Sequence, residues 1–176
     1  MNTDTASFDP HVGLLSELLE ILDRHLHQIE QAIRESPDPD SLGEFDRGEH
    51  LFGLAFVACQ TYIAATCGQF RVAKREALAI GESVADGVTK AALVNHAANF
   101  WKHHLEPSAD GSDRASQRTR DALTAAGVRP DSSYPLSNVL ATLLPGKASR
   151  LNGLTKVMTD WRSELQERRR RTSGCS

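Results

Sequence analysis

Between Val88 and Leu105 the sequence VTKAALVNHAANFWKHHL gathers side chains suited to acid–base and phosphate chemistry. Wound as a helix at about 100° per residue, it places Asn95, His96, Asn99, Lys102 and His103 within about a third of its circumference. Leu93, Val94, Ala97, Ala98, Phe100, Trp101 and Leu105 occupy roughly half of it and form a packing face. Solvated helical faces usually carry Glu, Lys, Gln and Arg, whereas Asn and His are poorer helix formers, and a function would explain that cost. Histidine exchanges protons near neutral pH, a carboxamide can hold a phosphate or ribose, and a lysine can neutralise developing charge. His103 is the expected general acid or base, with Asn99 one turn before it and Lys102 beside it. Those three form the expected catalytic set. Asn95 and His96, together with Arg71 and Arg75 from the preceding helix, form the expected substrate-binding set. His104 points toward the opposite side and reads as structural.

A purely structural reading covers the same residues. Asn95 and Asn99 can hydrogen-bond across a helix interface, and positive charge at 102–104 complements the C-terminal end of a helix dipole. A metal reading is poorer, because His96 and His103 lie about 10 Å apart along the axis and no His-x-x-x-His or Glu-x-x-His pair accompanies them. No metal is expected. No glycine-rich phosphate loop, nucleophile elbow or paired-carboxylate motif is present, and no cofactor is expected either.

The run Asn-His-Ala-Ala-Asn-Phe-Trp-Lys-His-His at 95–104 resembles the active-site helix of the HEPN superfamily. The resemblance spans about ten residues and implies a helical bundle, often dimeric, from toxin–antitoxin, phage-defence or RNA-processing systems. Ribonuclease members pair an Arg with a His four to six residues later and cleave without a metal. The resemblance puts His103 at the His position. No Arg stands between Arg75 and Arg114, so Lys102, or Arg71 and Arg75, would have to supply the cation. Lysine lacks the guanidinium fork, which makes that replacement chemically consequential. A twofold pairing of such helices would set two His and two Lys around one phosphate.

The elements that must position these residues read as helices. With 176 residues and 40% hydrophobic content, the chain can build one core without staples, and a single domain over 1–176 is expected. The apolar 3–4 spacing from Val12 to Ile33 predicts a first helix over about 10–35, with Asp9 as cap and Pro10 at its first position. The Pro- and Asp-rich segment 36–48 is a connection. A second helix is expected over about 49–80, then a short polar link at 82–86, then the helix from Val88. Residues 114–126, 135–144 and 148–171 complete the set. No strand-like alternation is evident. The expected fold class is all-α: a single antiparallel bundle of four main helices plus one or two short ones. Residues 1–9 and 172–176 are expected to fray and 106–113 to form a flexible loop. Trp101 and Trp161 fall in apolar stripes and read as core anchors.

Composition narrows the function classes. A net charge of −3 and a pI near 6.2 exclude a protein that is basic overall, so nucleic-acid binding would need a local patch. Arg168–Arg171 is the one concentrated basic run, and it reads as a solvated helix end. Cys59 and Cys67, about 12 Å apart along one helix, cannot bridge without distortion and read as buried thiols, while Cys175 sits in a polar tail. Reduced thiols and an N-terminus without a secretory pattern suggest the cytoplasm. The apolar run 51–59 is too short to span a bilayer, so no membrane partner is expected. The expected function is RNA binding or metal-independent endoribonuclease activity in a bacterial or phage conflict system. The alternatives are a non-catalytic protein-interaction module and a small-ligand-binding bundle. The expected partners are RNA, a cognate protein and a second copy of the chain. Exposure discriminates among them: an open groove holding Asn95, Asn99 and His103 beside Arg71 or Arg75 favours RNA, and burial against another helix favours a structural role.

Overall fold

The computed structural model describes residues 9–103, 114–146 and 150–173. His104, the 106–113 segment, the extreme N-terminus and Cys175 lie outside them. The fold is all-α as expected, a helical bundle with one two-stranded hairpin. Seven helices are described: α1 Val12–Glu35, α2 Glu44–Phe70, α3 Lys74–Leu78, α4 Lys90–His103, α5 Arg114–Ala125, α6 Pro135–Leu143 and α7 Gly153–Ser173. α2 is the central element and packs most extensively on α1 and α4. Phe56, Ile63, Leu19, Leu93, Met158 and Leu165 meet in the shared core. By length and composition α2 would suit a membrane span, but 56% of its most apolar window is packed inside the bundle.

The second helix differs from its expected course. It begins at Glu44 and stops at Phe70, because Arg71 adopts a left-handed conformation at φ +49°. The Arg71 and Val72 amides then bond back to the Gly68 and Cys67 carbonyls, which closes the helix in the manner of a glycine cap. Ala73 is extended and α3 starts anew at Lys74. The link after α3 is also different from the expected loop. Ser83–Ala85 and Val88–Thr89 pair as antiparallel strands β1 and β2 around Asp86-Gly87, with Gly87 at φ +70°. Asp-Gly between two short apolar stretches is a hairpin signal that the helical periodicity on either side obscured. Thr89 then fixes the start of α4: its hydroxyl accepts from the Ala92 amide at 3.1 Å and donates to the Leu78 carbonyl at 2.6 Å.

Several helix ends are held by carboxylates distant in sequence. Asp23 of α1 accepts the Leu151 and Asn152 amides at 2.6 and 2.8 Å, just before α7. Glu49 of α2 is buried and accepts the Leu136 and Ser137 amides at 2.5 and 3.1 Å, at the first turn of α6. α1 starts at Val12, two residues later than expected, but Asp9 still holds the approach to it: its Oδ1 accepts the His11 amide at 3.1 Å, while its Oδ2 takes the Tyr62 hydroxyl and lies 3.2 Å from Nε of the buried Arg162 guanidinium. Trp161 is a core anchor, 3% exposed, with its indole N–H on the Ala77 carbonyl at 2.9 Å. Trp101 is only half-buried. It lies edge-on to His50, ring centroids 4.7 Å apart, and flat against Gly53, where a Cβ would stand 2.2 Å from the indole. Cys59 and Cys67 are free and buried as expected, and burial pushes the Cys59 thiol up to about 12.

Candidate functional site

The polar residues of α4 divide into two groups with different surroundings. The first faces α2 and is gathered by Gln60. The Gln60 amide nitrogen donates to the Asn95 and Asn99 side-chain oxygens at 2.9 and 2.8 Å, with a longer contact of 3.3 Å to the Asn95 carbonyl. Its oxygen accepts from Lys102 Nζ at 2.7 Å. One carboxamide therefore uses both ends to join three consecutive turns of the neighbouring helix. Asn95 is 7% exposed and Asn99 half-buried. They do not open into a groove with His103. Their burial against α2 is the arrangement that the structural reading of these asparagines called for. Lys102 and His103 are exposed in the last turn of α4, where positive charge complements the helix dipole.

The second group forms a basic corner. His96 is half-buried, and its Nδ1 lies 3.4 Å from the Thr119 hydroxyl of α5. Burial lowers its pKa, and the positive charge of Lys74 lowers it further. Lys74, the first residue of α3, is itself half-buried, and its pKa falls through burial and then through Lys102. Cys67, held up by burial, is close enough to Lys74 to be drawn partly back down. Lys74 thus sits among His96, Lys102 and Cys67, with no carboxylate among the groups that shift either Lys74 or His96. Mutual repulsion in a partly desolvated place is the condition an anion relieves.

Lys74 was not singled out from the sequence. There it is one of several charges in the tail of a presumed continuous helix, and only the left-handed break at Arg71 turns it toward α4. Arg71 and Arg75 are both exposed, Arg71 at the end of α2 and Arg75 next to Lys74 in α3. Gln60 was also missed, standing with Thr61 between apolar stretches of α2. Its signal was position: a glutamine amid Val57, Ala58, Cys59 and Tyr62 needs a partner if it faces another helix.

The basic C-terminal run is partly engaged. Arg169 donates to the Phe70 carbonyl, and the guanidinium carbons of Arg169 and Arg162 lie over the Phe70 ring, 5.6 and 4.7 Å from its centroid. Arg171 approaches Glu167 at 3.8 Å. Arg169 is therefore a staple between α7 and the end of α2, which corrects the reading of a wholly solvated terminus. A cleft of about 530 Å³ opens elsewhere, lined by Glu82, Lys90, Leu143, Val157, Asp160 and Trp161 among others. Among the described residues no group of three or more His, Cys, Asp or Glu is arranged to hold a metal ion. No known family model, curated protein or solved structure matches the chain.

Proposed function

We propose that this is an RNA-binding protein of HEPN type, acting in a bacterial or phage conflict system, and that it holds the RNA backbone at the corner where α2, α3 and α4 meet. The observation that carries the reading is the convergence of Lys74, Lys102 and His96 without a neutralising carboxylate. A phosphate entering there would offset the burial and the Lys102 charge that lower the Lys74 pKa, with Arg71 at the end of α2 and Arg75 in α3 as further exposed cations on the adjoining segment. A chain with net charge −3 then binds through a local field rather than its overall charge.

Metal-independent cleavage is the chemistry this corner would support. An imidazole takes the proton of a ribose 2′-hydroxyl, the 2′-oxygen attacks the adjacent phosphorus, and the bond to the 5′-oxygen breaks. The leaving oxygen takes a proton, giving a 2′,3′-cyclic phosphate and a 5′-hydroxyl. Lys102 and Lys74 would stabilise the extra negative charge of the phosphorane. His103, exposed beside Lys102, is the first candidate base. His96 is the second, because burial and Lys74 keep it neutral and able to accept a proton at pH 7.

The test is fluorescence anisotropy with labelled single-stranded RNA over a salt series, with product analysis on denaturing gels in the presence of a chelator. Lys74→Gln and Lys102→Gln are each expected to weaken binding and to reduce the salt slope by about 1. Cyclic-phosphate products that vanish in His103→Ala or His96→Ala would assign the base. Absence of salt-dependent binding by the wild type overturns the reading. A non-catalytic interaction module is the second reading, and the exposure criterion favours it for the asparagines: Asn95 and Asn99 pack against α2 and bond to Gln60 rather than opening into a groove with His103, so the RNA reading rests on Lys74, Lys102 and His96.

A further inference from the structure

The cleft of about 530 Å³ opens where the link after α3, the first turn of α4, the end of α6 and one side of α7 meet. Its size lies in the ~300–1,000 Å³ range of small-molecule sites. The floor is apolar and belongs to the core: Ala91, Leu143, Leu144, Val157 and Trp161 are all buried. Fixed contacts set its shape. The Trp161 indole N–H is held on the Ala77 carbonyl at 2.9 Å, and Gly81, at φ +110°, turns the chain past the indole, where a Cβ would lie 3.7 Å from Trp161 Cδ1. Gly153, at the start of α7, leaves room for the Leu144 side chain, whose Cδ1 would stand 2.8 Å from a Cβ there. Walls anchored in this way stand before any ligand arrives, which keeps the ordering cost of binding low. Aliphatics are also exposed on the outer face of α1 and α2, where Leu14, Leu18, Ile21 and Leu54 are 41–60% exposed, but none of them lines this cleft.

The rim is charged and its charges do not balance. Lys90 Nζ bonds to Glu82 at 2.6 Å, and Lys156 Nζ bonds to both Asp160 oxygens at 2.9 and 2.7 Å. Each lysine is thus answered by a carboxylate of the same rim. Glu164, one turn beyond Asp160 on the same strip of α7, is exposed and has no partner among the described residues. Three carboxylates against two ammonium groups leave one negative charge beside an apolar floor. We propose that the cleft binds a small organic cation, an ammonium or amidinium group carried on an apolar body. The body lies over Leu143, Leu144 and Val157, and the charge meets Glu164 at the rim. An anion fits less well, because it would have to displace Glu82 or Asp160 from its lysine and then face Glu164. The site goes beyond the proposed RNA site and does not depend on it: Lys90 stands 12 residues before Lys102, about 18 Å along α4.

Isothermal titration calorimetry of the full chain with phenethylammonium chloride, 2-phenylethanol and 3-phenylpropionate separates charge from shape, since the three share one apolar body. Phenethylammonium is expected to bind saturably, 2-phenylethanol roughly fivefold more weakly and 3-phenylpropionate more weakly still. Glu164→Gln is expected to weaken phenethylammonium roughly fivefold and to leave 2-phenylethanol unchanged. Glu164→Lys should reverse the preference, so that 3-phenylpropionate binds more tightly than phenethylammonium. Glu164 is exposed, and both variants should keep the wild-type far-ultraviolet circular dichroism spectrum. The proposal is overturned if the wild type binds none of the three, binds them equally, or prefers the carboxylate. It is overturned as well if phenethylammonium binds Glu164→Gln as tightly as wild type.

Discussion

The α2–α4 seam and the outer α1–α2 face depart from the usual partition of side chains in opposite directions. In the seam, carboxamides are buried or half-buried; on the outer face, aliphatics are exposed. The seam is self-sufficient, since Gln60 answers both asparagines and Lys102 with ordinary hydrogen-bond lengths. The outer face has no such internal answer. The comparison teaches that an unusual residue type in a helix does not by itself mark function. A polar residue whose partner is supplied by the fold is a device of specificity, and an apolar one left without cover points outward to something else.

Breaking the seam should have the largest effect. Gln60→Leu leaves the buried Asn95 carboxamide without its donor and the Asn99 oxygen half-stranded, and is expected to cost about 3 kcal/mol. For a chain of this size that lowers Tm by roughly 6–12 °C, measured by thermal unfolding. If Tm is unchanged, the lock is not what joins α2 to α4. Gly53→Ala tests the same seam sterically. Its Cβ would enter the Trp101 indole, and because Trp101 is half-buried and can yield, the expected loss is about 1–2 kcal/mol with a change in tryptophan fluorescence.

The basic corner provides a pH readout between the two extremes. His96 has its pKa lowered in the folded state, so below its ordinary value of 6.5 the unfolded chain binds the proton more readily. Stability is therefore expected to fall as pH drops through 6.5, with no contribution from this group above it. Glu49, whose pKa burial raises, acts with the opposite sign at lower pH, so the comparison must be wild type against His96→Phe rather than a single profile. The variant should show a flatter decline between pH 6.5 and 5. An identical slope would place His96 in water. The smallest expected effect belongs to the outer face: Leu14→Ser should change the stability of the chain by less than about 0.5 kcal/mol, as measured by urea unfolding. A loss of 2 kcal/mol or more would mean that Leu14 is covered within its own chain.

What could be read from the sequence was the regular part. The apolar 3–4 spacing from Val12 to Ile33 foretold α1, although it included Leu14 and Leu18, which are exposed, beside the buried Leu15, Leu19, Leu26 and Ile29. The apolar density after Leu51 foretold a central helix. The stripe on α4 foretold the burial of Leu93, Val94, Ala97 and Ala98, whereas Phe100 and Trp101 are only half-buried and Asn95 of the polar face is buried. Local conformational choices were less visible. Arg71 enters a left-handed conformation where glycine is the usual occupant, so nothing in its residue type announced the end of α2. The hairpin signal at Asp86-Gly87 was present and was outweighed by helical context. The candidate site was half legible: its residues on α4 stood out, but whether each met solvent, Gln60 or Lys74 depended on contacts 22 to 42 positions away in the chain, which periodicity does not encode.

Asp23 and Glu49 secure helices whose first turns lie 87 to 129 residues further along. The amides at the start of α6 and just ahead of α7 gain these acceptors only once α1 and α2 stand in place, and until then water alone can take them. Assembly of the carboxyl-terminal half is thereby made conditional on the amino-terminal pair. During synthesis that pair leaves the ribosome first, so the order in which the polypeptide emerges matches the order in which its later segments become able to settle.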